Sequence, residues 1–148
     1  MSTYTQILYQ IVFSTRNRKK ILNKENREEL FRYIHGILQN KNCHLYRING
    51  VADHLHIVTH IHPTISLASL VKDIKLATTE YINYEFLFPG FDGWQDGYGA
   101  FTYSISAKDN LIEYVKKQED HHRLTTFHEE YIQLLIEHGI DFNEKYLL

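Results

Sequence analysis

The sequence is poor in the residues that build covalent scaffolds and turns: one cysteine, two prolines and seven glycines in 148 residues. A lone Cys43 excludes an internal disulfide and makes a reducing cytoplasm the expected compartment. No window approaches the ~20 apolar residues of a membrane-spanning helix. The first residues, Met1-Ser2-Thr3-Tyr4-Thr5-Gln6, have neither a basic start nor the apolar core of a signal peptide. No repeat or low-complexity segment is present. Charge of one sign is also scarce, with a net charge of -2, where a nucleic-acid binder is usually basic. What is abundant is apolar and aromatic matter: 43% hydrophobic residues, with 11 Tyr and 8 Phe against 1 Trp. That suffices for one globular domain over residues 1–148 with a real core.

The charge is unevenly spread. Residues 1–126 hold 15 Lys and Arg against 13 Asp and Glu, whereas beyond them Lys145 stands alone against five carboxylates. Arg16, Arg18, Lys19 and Lys20 fall in one loop, and Lys72 with Lys75 on one helix. These positions suit a phosphate-binding face, and they suit an ordinary solvated surface equally well.

Residues 4–15 are rich in Ile, Tyr, Val, Phe and Thr and read as a strand. Asn23 caps a helix running to about Gln39, with Leu30, Ile34, Ile37 and Leu38 on its apolar side. A strand over Leu45–Ile48, the turn signal Asn49-Gly50 and a strand over Val51–Ile61 form a hairpin. Pro63 ends it. Ser66 caps a long helix carrying Leu67, Leu70, Val71, Ile74, Ala77 and Tyr81 at helical spacing. Residues 87–99, with Pro89 and four glycines, read as the most flexible stretch, a linker or active-site loop. A strand over Phe101–Ile105 follows. A helix opened by Ser106 or Asp109 runs through His122, and a last one opens at Thr125 or Thr126 and closes at Gly139. The order β-α-β-β-α-β plus two helices predicts an α+β fold: a ferredoxin-like, four-stranded antiparallel sheet with helices on one face. The other face would be open to a ligand.

On the third strand the period of two puts His54, His56, Val58 and His60 on one face and Leu55, Ile57, Thr59 and Ile61 on the other. The histidines would take the open face. Two imidazoles at i, i+2 can hold one divalent ion, but a catalytic centre needs a third ligand. Such pairs also arise by chance in a chain with 10 His. Tyr114 and Gln118 lie four apart in the penultimate helix and share an edge of its buried stripe. Tyr114 can be a boundary tyrosine with a wet hydroxyl, or the nucleophile of a metal-assisted phosphodiester transfer. Tyrosine attack on phosphorus stores the bond as phosphotyrosine and frees a 3′-OH. It needs help, because a phenol of pKa ~10 is a weak nucleophile. His54, His56 and Gln118 have ligand types suited to Mg²⁺ or Mn²⁺. Trp94, Tyr98 and Phe101 can stack bases or simply pack.

The run Asn49-Gly50-Val51-Ala52-Asp53-His54-Leu55-His56-Ile57-Val58 resembles the His-hydrophobe-His strand of single-tyrosine HUH transposases. That family comprises the insertion-sequence and repeat-associated tyrosine transposases. Gly97–Ser104, Glu113–His122 with its Tyr-three-residues-Gln spacing, and Thr126–Tyr131 are similar to its following blocks, in order. The resemblance implies that His54, His56 and Gln118 bind the metal and that Tyr114 is the nucleophile. It implies cleavage and rejoining of single-stranded DNA, often beside a folded hairpin, through a 5′-phosphotyrosine. It further implies a homodimer with composite active sites, in a bacterial cytoplasm and on the nucleoid when bound to DNA. Arg16, Arg18, Lys19, Lys72 and Lys75 become candidate DNA-backbone contacts. Two alternatives stay open: a non-catalytic single-stranded nucleic-acid-binding module of host-recruited transposase origin, and a metal protein using His54, His56, His60 and His62.

Overall fold

In the computed structural model, which describes residues 2–147, four alternating segments form one antiparallel sheet: β1 (Leu8–Ser14), β2 (His44–Gly50), β3 (His54–His60) and β4 (Gly99–Tyr103). The strand order is β2-β3-β1-β4, the ferredoxin-like arrangement the element order predicts. The central pair sets Val12 opposite His56 and Ser14 opposite His54.

Helices α1 (Lys24–Asn40) and α2 (Leu67–Glu85) cover one face. The expected caps start them: Asn23 Oδ1 accepts from the Asn26 amide at 3.0 Å, and Ser66 Oγ accepts from the Ser69 amide at 3.1 Å. Leu30, Ile34 and Leu38 of α1, with Leu70, Ile74 and Ile82 of α2, bury against Ile11, Phe13, Leu55 and Ile57. Each such side chain contributes about 1.5–3 kcal/mol over an exposed one.

The second face is not open. Helices α3 (Lys108–Lys116), α4 (Gln118–His121) and α5 (Phe127–Glu137) lie on it. Leu111 and Val115 of α3 pack on Leu8 and Val58. Phe127, Tyr131, Leu134 and Leu135 of α5 pack on Val12 and Phe101. His54 and His56 are therefore fully buried, because α3 and α5 carry apolar stripes that need a sheet to cover.

Other expectations shift in register. The first strand begins at Leu8, not residue 4, and the fourth spans Gly99–Tyr103 rather than 101–105. Asn49-Gly50 is not the hairpin turn: both residues are in the ladder, opposite His56 and Leu55, and residues 51–53 make the connection. Gly50 is required for another reason, since a Cβ there would collide with the carbonyl oxygen of His54. The helix expected to run through His122 breaks at Lys117 (φ -94°, ψ 21°).

Residues 87–99 are an anchored loop instead of a flexible linker. Leu87, Phe88 and Trp94 are buried. The Trp94 indole donates to Thr78 Oγ1 at 2.9 Å and meets Phe13 edge-on at 5.0 Å. The Lys75 ammonium donates to the carbonyls of Gln95 at 2.8 Å and Gly97 at 2.6 Å. With Trp94 and Phe101 both in the core, neither is a base-stacking platform. Among the described residues no helix is long and apolar enough to cross a membrane.

Candidate active site

The pairing of β3 with β1 fixes the site, because it aims His54 and His56 at the layer that α3, α4 and α5 build over the sheet. His54 Nδ1 donates to Asp53 Oδ1 at 2.7 Å. His56 Nδ1 donates to Gln10 Oε1 at 2.6 Å, and the Gln10 amide in turn donates to Tyr103 Oη at 2.7 Å. Both rings are thus held with Nε2 pointing at one spot. Partners of this kind orient metal-binding histidines and fix their tautomer. The donor set fits a divalent cation.

A carboxylate absent from the sequence-based ligand set stands at that spot. Glu130 Oε1 lies 2.9 Å from His56 Nε2, 3.3 Å from His54 Nε2 and 2.9 Å from His122 Nε2. His54, His56, His122 and Glu130 offer donor atoms all within 4.8 Å of one another. The other carboxylate oxygen, Oε2, accepts from the Gln118 amide at 3.0 Å and from the Tyr114 hydroxyl. The nucleophile and the histidine pair expected from sequence are therefore brought together within a single chain. Gln118 is also here, buried, its Oε1 at 3.4 Å from His54 Nε2. Its amide nitrogen is spent on Glu130.

Sequence reasoning missed two of these residues. His122 enters the sequence reading only as the end of the penultimate helix, with no ligand role. Glu130 carries a readable signal: it falls on the apolar stripe of α5 between Phe127, Tyr131 and Leu134, where a carboxylate has no reason to be unless it is paired. Helix α5 is set by the Thr126–Glu129 capping box, which turns Glu130 inward.

The cluster is electrostatically polarised. Burial works to raise Glu130, but hydrogen bonds from His122, His54 and His56 outweigh it and hold the carboxyl well below its usual range. Burial would lower His54, yet the hydrogen bonds to Asp53 and Glu130 keep it raised. Complete burial wins at His56, which is lowered. Tyr114 is pushed well above the ordinary phenol range, first by burial and then by the Glu130 charge.

Two clefts flank the cluster. One, of about 550 Å³, is lined by Tyr114, His121, Glu130 and Leu134. The other, of about 640 Å³, is lined by Arg18, Lys20, Asp53, His122 and Arg123. Of the five basic residues expected at a DNA interface, only Arg18 lines a cleft beside the histidines. Lys19 pairs with Asp92 at 2.9 Å, and the Arg16 guanidinium lies against Gly93. Lys72 and Lys75 are on α2, across the sheet from the site, and Lys75 is committed to loop carbonyls. His60 and His62 stand outside the cluster: His60 Nδ1 accepts from the Ile7 amide at 3.1 Å, and His62 Nδ1 meets Thr64 Oγ1 at 2.7 Å.

A family model described as "Transposase IS200 like" matches residues 3–118. A protein from Deinococcus radiodurans R1 described as a transposase superposes with a TM-score of 0.64 at 19% identity, covering 80% of this chain and 95% of that one. A REP-associated tyrosine transposase, bound to a REP hairpin, superposes with a TM-score of 0.62 at 14% identity, covering 100% of this chain and 92% of that one. No curated protein matches the chain. At these identities the superpositions establish the fold. The family match ends at Gln118 and does not reach His122 or Glu130.

Proposed function

The chain belongs to the IS200-like transposase family, and from that premise we propose that it cleaves and rejoins single-stranded DNA with Tyr114 as nucleophile. In this reading residues 1–148 act as one catalytic domain in the bacterial cytoplasm. The observation that carries the proposal is the meeting of Tyr114 with His54 and His56 through one carboxylate. A catalytic tyrosine and a cation-binding histidine pair have to converge for this chemistry, and nothing in the packing of a merely structural tyrosine requires it.

The Tyr114 hydroxyl gives up its proton as its oxygen attacks the scissile phosphorus. The bond from phosphorus to the 3′ oxygen breaks, and the leaving oxygen takes a proton to become a free 3′-OH. The 5′ side remains on Tyr114 as a phosphotyrosine, and attack by another 3′-OH reverses the step onto a new strand. A divalent cation, Mg²⁺ or Mn²⁺, supplies Lewis acidity to the phosphate and the leaving oxygen. His54 and His56 would hold it, with Gln118 beside them. Asp53 and Gln10 keep both rings turned toward it. Arg18 and Lys20, exposed beside the His122 cleft, take the DNA backbone.

The substrate proposed is single-stranded DNA bearing a hairpin; the superposed REP-associated enzyme is bound to one. The contact of Tyr114 with the histidine group of its own chain favours an active site assembled in cis. A homodimer that exchanges α3 is tested by mixing Tyr114→Phe with His56→Ala chains: restored cleavage requires a composite site.

The direct test is to incubate the protein with Mn²⁺ and end-labelled single-stranded DNA from the flanks of its coding region. A covalent adduct that disappears with Tyr114→Phe is expected. No adduct with any flanking end, or one undiminished by Tyr114→Phe, rejects the proposal. Binding indifferent to EDTA and to Tyr114→Phe then favours a non-catalytic DNA-binding module.

A further inference from the structure

We propose that the cleft between α3 and α5 is a base pocket, taking a guanine of the single-stranded DNA beside the phosphate that Tyr114 attacks. The inference deepens the strand-transfer reading and rests on it only in bringing single-stranded DNA to Tyr114.

The two clefts that flank the cluster differ in sign. The one on the His122 side is lined by Arg18, Lys20, Arg27 and Arg123 against Asp53 and Glu119. The other, of about 550 Å³, is lined by Glu129, Glu130 and Glu137, and none of its described lining residues is lysine or arginine. A phosphate is drawn to the first and repelled from the second. A DNA strand crossing the cluster therefore keeps its backbone on the basic side. What it can offer the acidic side is an uncharged base.

The acidic cleft is built to hold one. Its walls include the buried Leu111 and Leu134 and the half-buried rings of Tyr103 and Tyr114. Apolar and aromatic surface of this kind replaces the stacking that a base loses when it leaves its strand. The volume falls in the range of small-molecule sites. Because Tyr114 is itself a wall, a base seated here lies beside the nucleophile.

The rim selects the base. One turn apart on α5, the Gln133 amide nitrogen donates to Glu137 Oε1 at 3.1 Å. That bond turns the amide so that the Gln133 oxygen and the second Glu137 oxygen serve as acceptors. Glu129 Oε1 accepts from Thr126 Oγ1 at 2.9 Å in the capping box, and Glu130 is engaged by Tyr114 and the histidines. Two neighbouring acceptors call for two neighbouring N–H donors. Guanine has them, at N1 and N2. Adenine and cytosine set one amine beside a ring-nitrogen acceptor, and thymine flanks its one N–H with carbonyls. Each of these would turn a lone pair toward an acceptor.

The test is fluorescence anisotropy of the full chain, in EDTA, with short thymine oligonucleotides carrying one central guanine, hypoxanthine, adenine or cytosine as probes. The guanine probe should bind at least about fivefold more tightly than the adenine, cytosine and all-thymine probes. Hypoxanthine, which lacks the N2 amine, should lose most of that advantage. Gln133→Ala and Glu137→Ala should each erase the preference, whereas Arg18→Ala should weaken every probe alike. Circular dichroism checks folding; if Gln133→Ala does not fold, the exposed Glu137→Ala carries the comparison. Equal affinity for all probes overturns the proposal, as does a guanine preference that survives Glu137→Ala. A chain that shows the preference yet forms no DNA adduct removes the strand-transfer reading and leaves the pocket standing. An adduct formed equally well with every base beside the cleaved phosphate overturns the pocket and leaves that reading intact.

Discussion

Glu130 Oε2 accepts the hydroxyl of Tyr114 while the same carboxylate, through Oε1, lies 2.9 Å from His56 Nε2. One side chain of α5 thereby joins the tyrosine of α3 to the histidine strand β3. This junction sets the reactivity of the tyrosine. A carboxylate against a phenol opposes formation of the phenolate, and burial opposes it more strongly. For Tyr114 to act as the proposed nucleophile, Glu130 must have its charge taken up elsewhere first.

Glu130→Gln should therefore lower the Tyr114 pKa toward the ordinary phenol range without reaching it, because burial is the larger cause and remains. The measurement is an NMR titration of tyrosine-labelled protein, with Tyr114→Phe identifying the resonance. A Tyr114 pKa unchanged or raised in Glu130→Gln would contradict the electrostatic account.

Asn49 ties the histidine hairpin to the end of the tyrosine helix. Its amide nitrogen donates to the carbonyls of Val115 at 3.1 Å and Lys116 at 3.0 Å, the groups freed where α3 breaks. Asn49→Ala should cost about 0.5–1.5 kcal/mol by removing this tie between hairpin and helix. Asn49→Asp should cost more, since a carboxylate would face two carbonyl oxygens. Urea unfolding of the three proteins gives the order, and an Asp variant as stable as wild type refutes the contact.

Local signals were read well from sequence, and long-range ones were not. Asn23, Ser66 and Thr126 each cap the expected helix, because a cap is decided within four residues. His54 and His56 share a face because strand alternation is local too. Their burial was not legible, since it depends on how α3 and α5 return over the sheet. Asn49-Gly50 misled because turn chemistry and close packing both call for glycine, and here the carbonyl of His54 makes the demand. Glu130 was the harder loss. Its position on an apolar stripe is visible, but its partners lie eight to 76 residues away.

Gly99 is a packing constraint between β4 and α5. A Cβ there would lie 2.6 Å from Tyr131 Cε1 and 3.1 Å from Phe101 Cε2. Gly99→Ala should destabilise by about 1–3 kcal/mol, as overpacked cores do. Since the ring edge is the obstacle, Tyr131→Phe should not relieve it, whereas Tyr131→Leu should recover part. Thermal melts of the single and double variants test this, and additivity in the Leu pair would show that the two side chains do not meet.

The basic residues divide by position, and salt dependence separates them. Arg18 and Lys20 are exposed beside the His122 cleft, Lys72 is exposed on the far layer, and Lys75 is bonded to Gln95 and Gly97. Each phosphate contact to a single strand adds about 0.7 to the slope of log affinity against log salt. Arg18→Ala and Lys20→Ala should each weaken hairpin-bearing single-stranded DNA and shrink that slope by about this amount. Lys72→Ala should leave affinity and slope unchanged. Lys75→Ala should leave the slope unchanged but lower stability, because two loop carbonyls lose their donor. Fluorescence anisotropy at several salt concentrations, paired with melts, distinguishes the four. A slope change confined to Lys72→Ala and Lys75→Ala would move the DNA path to the other face of the sheet.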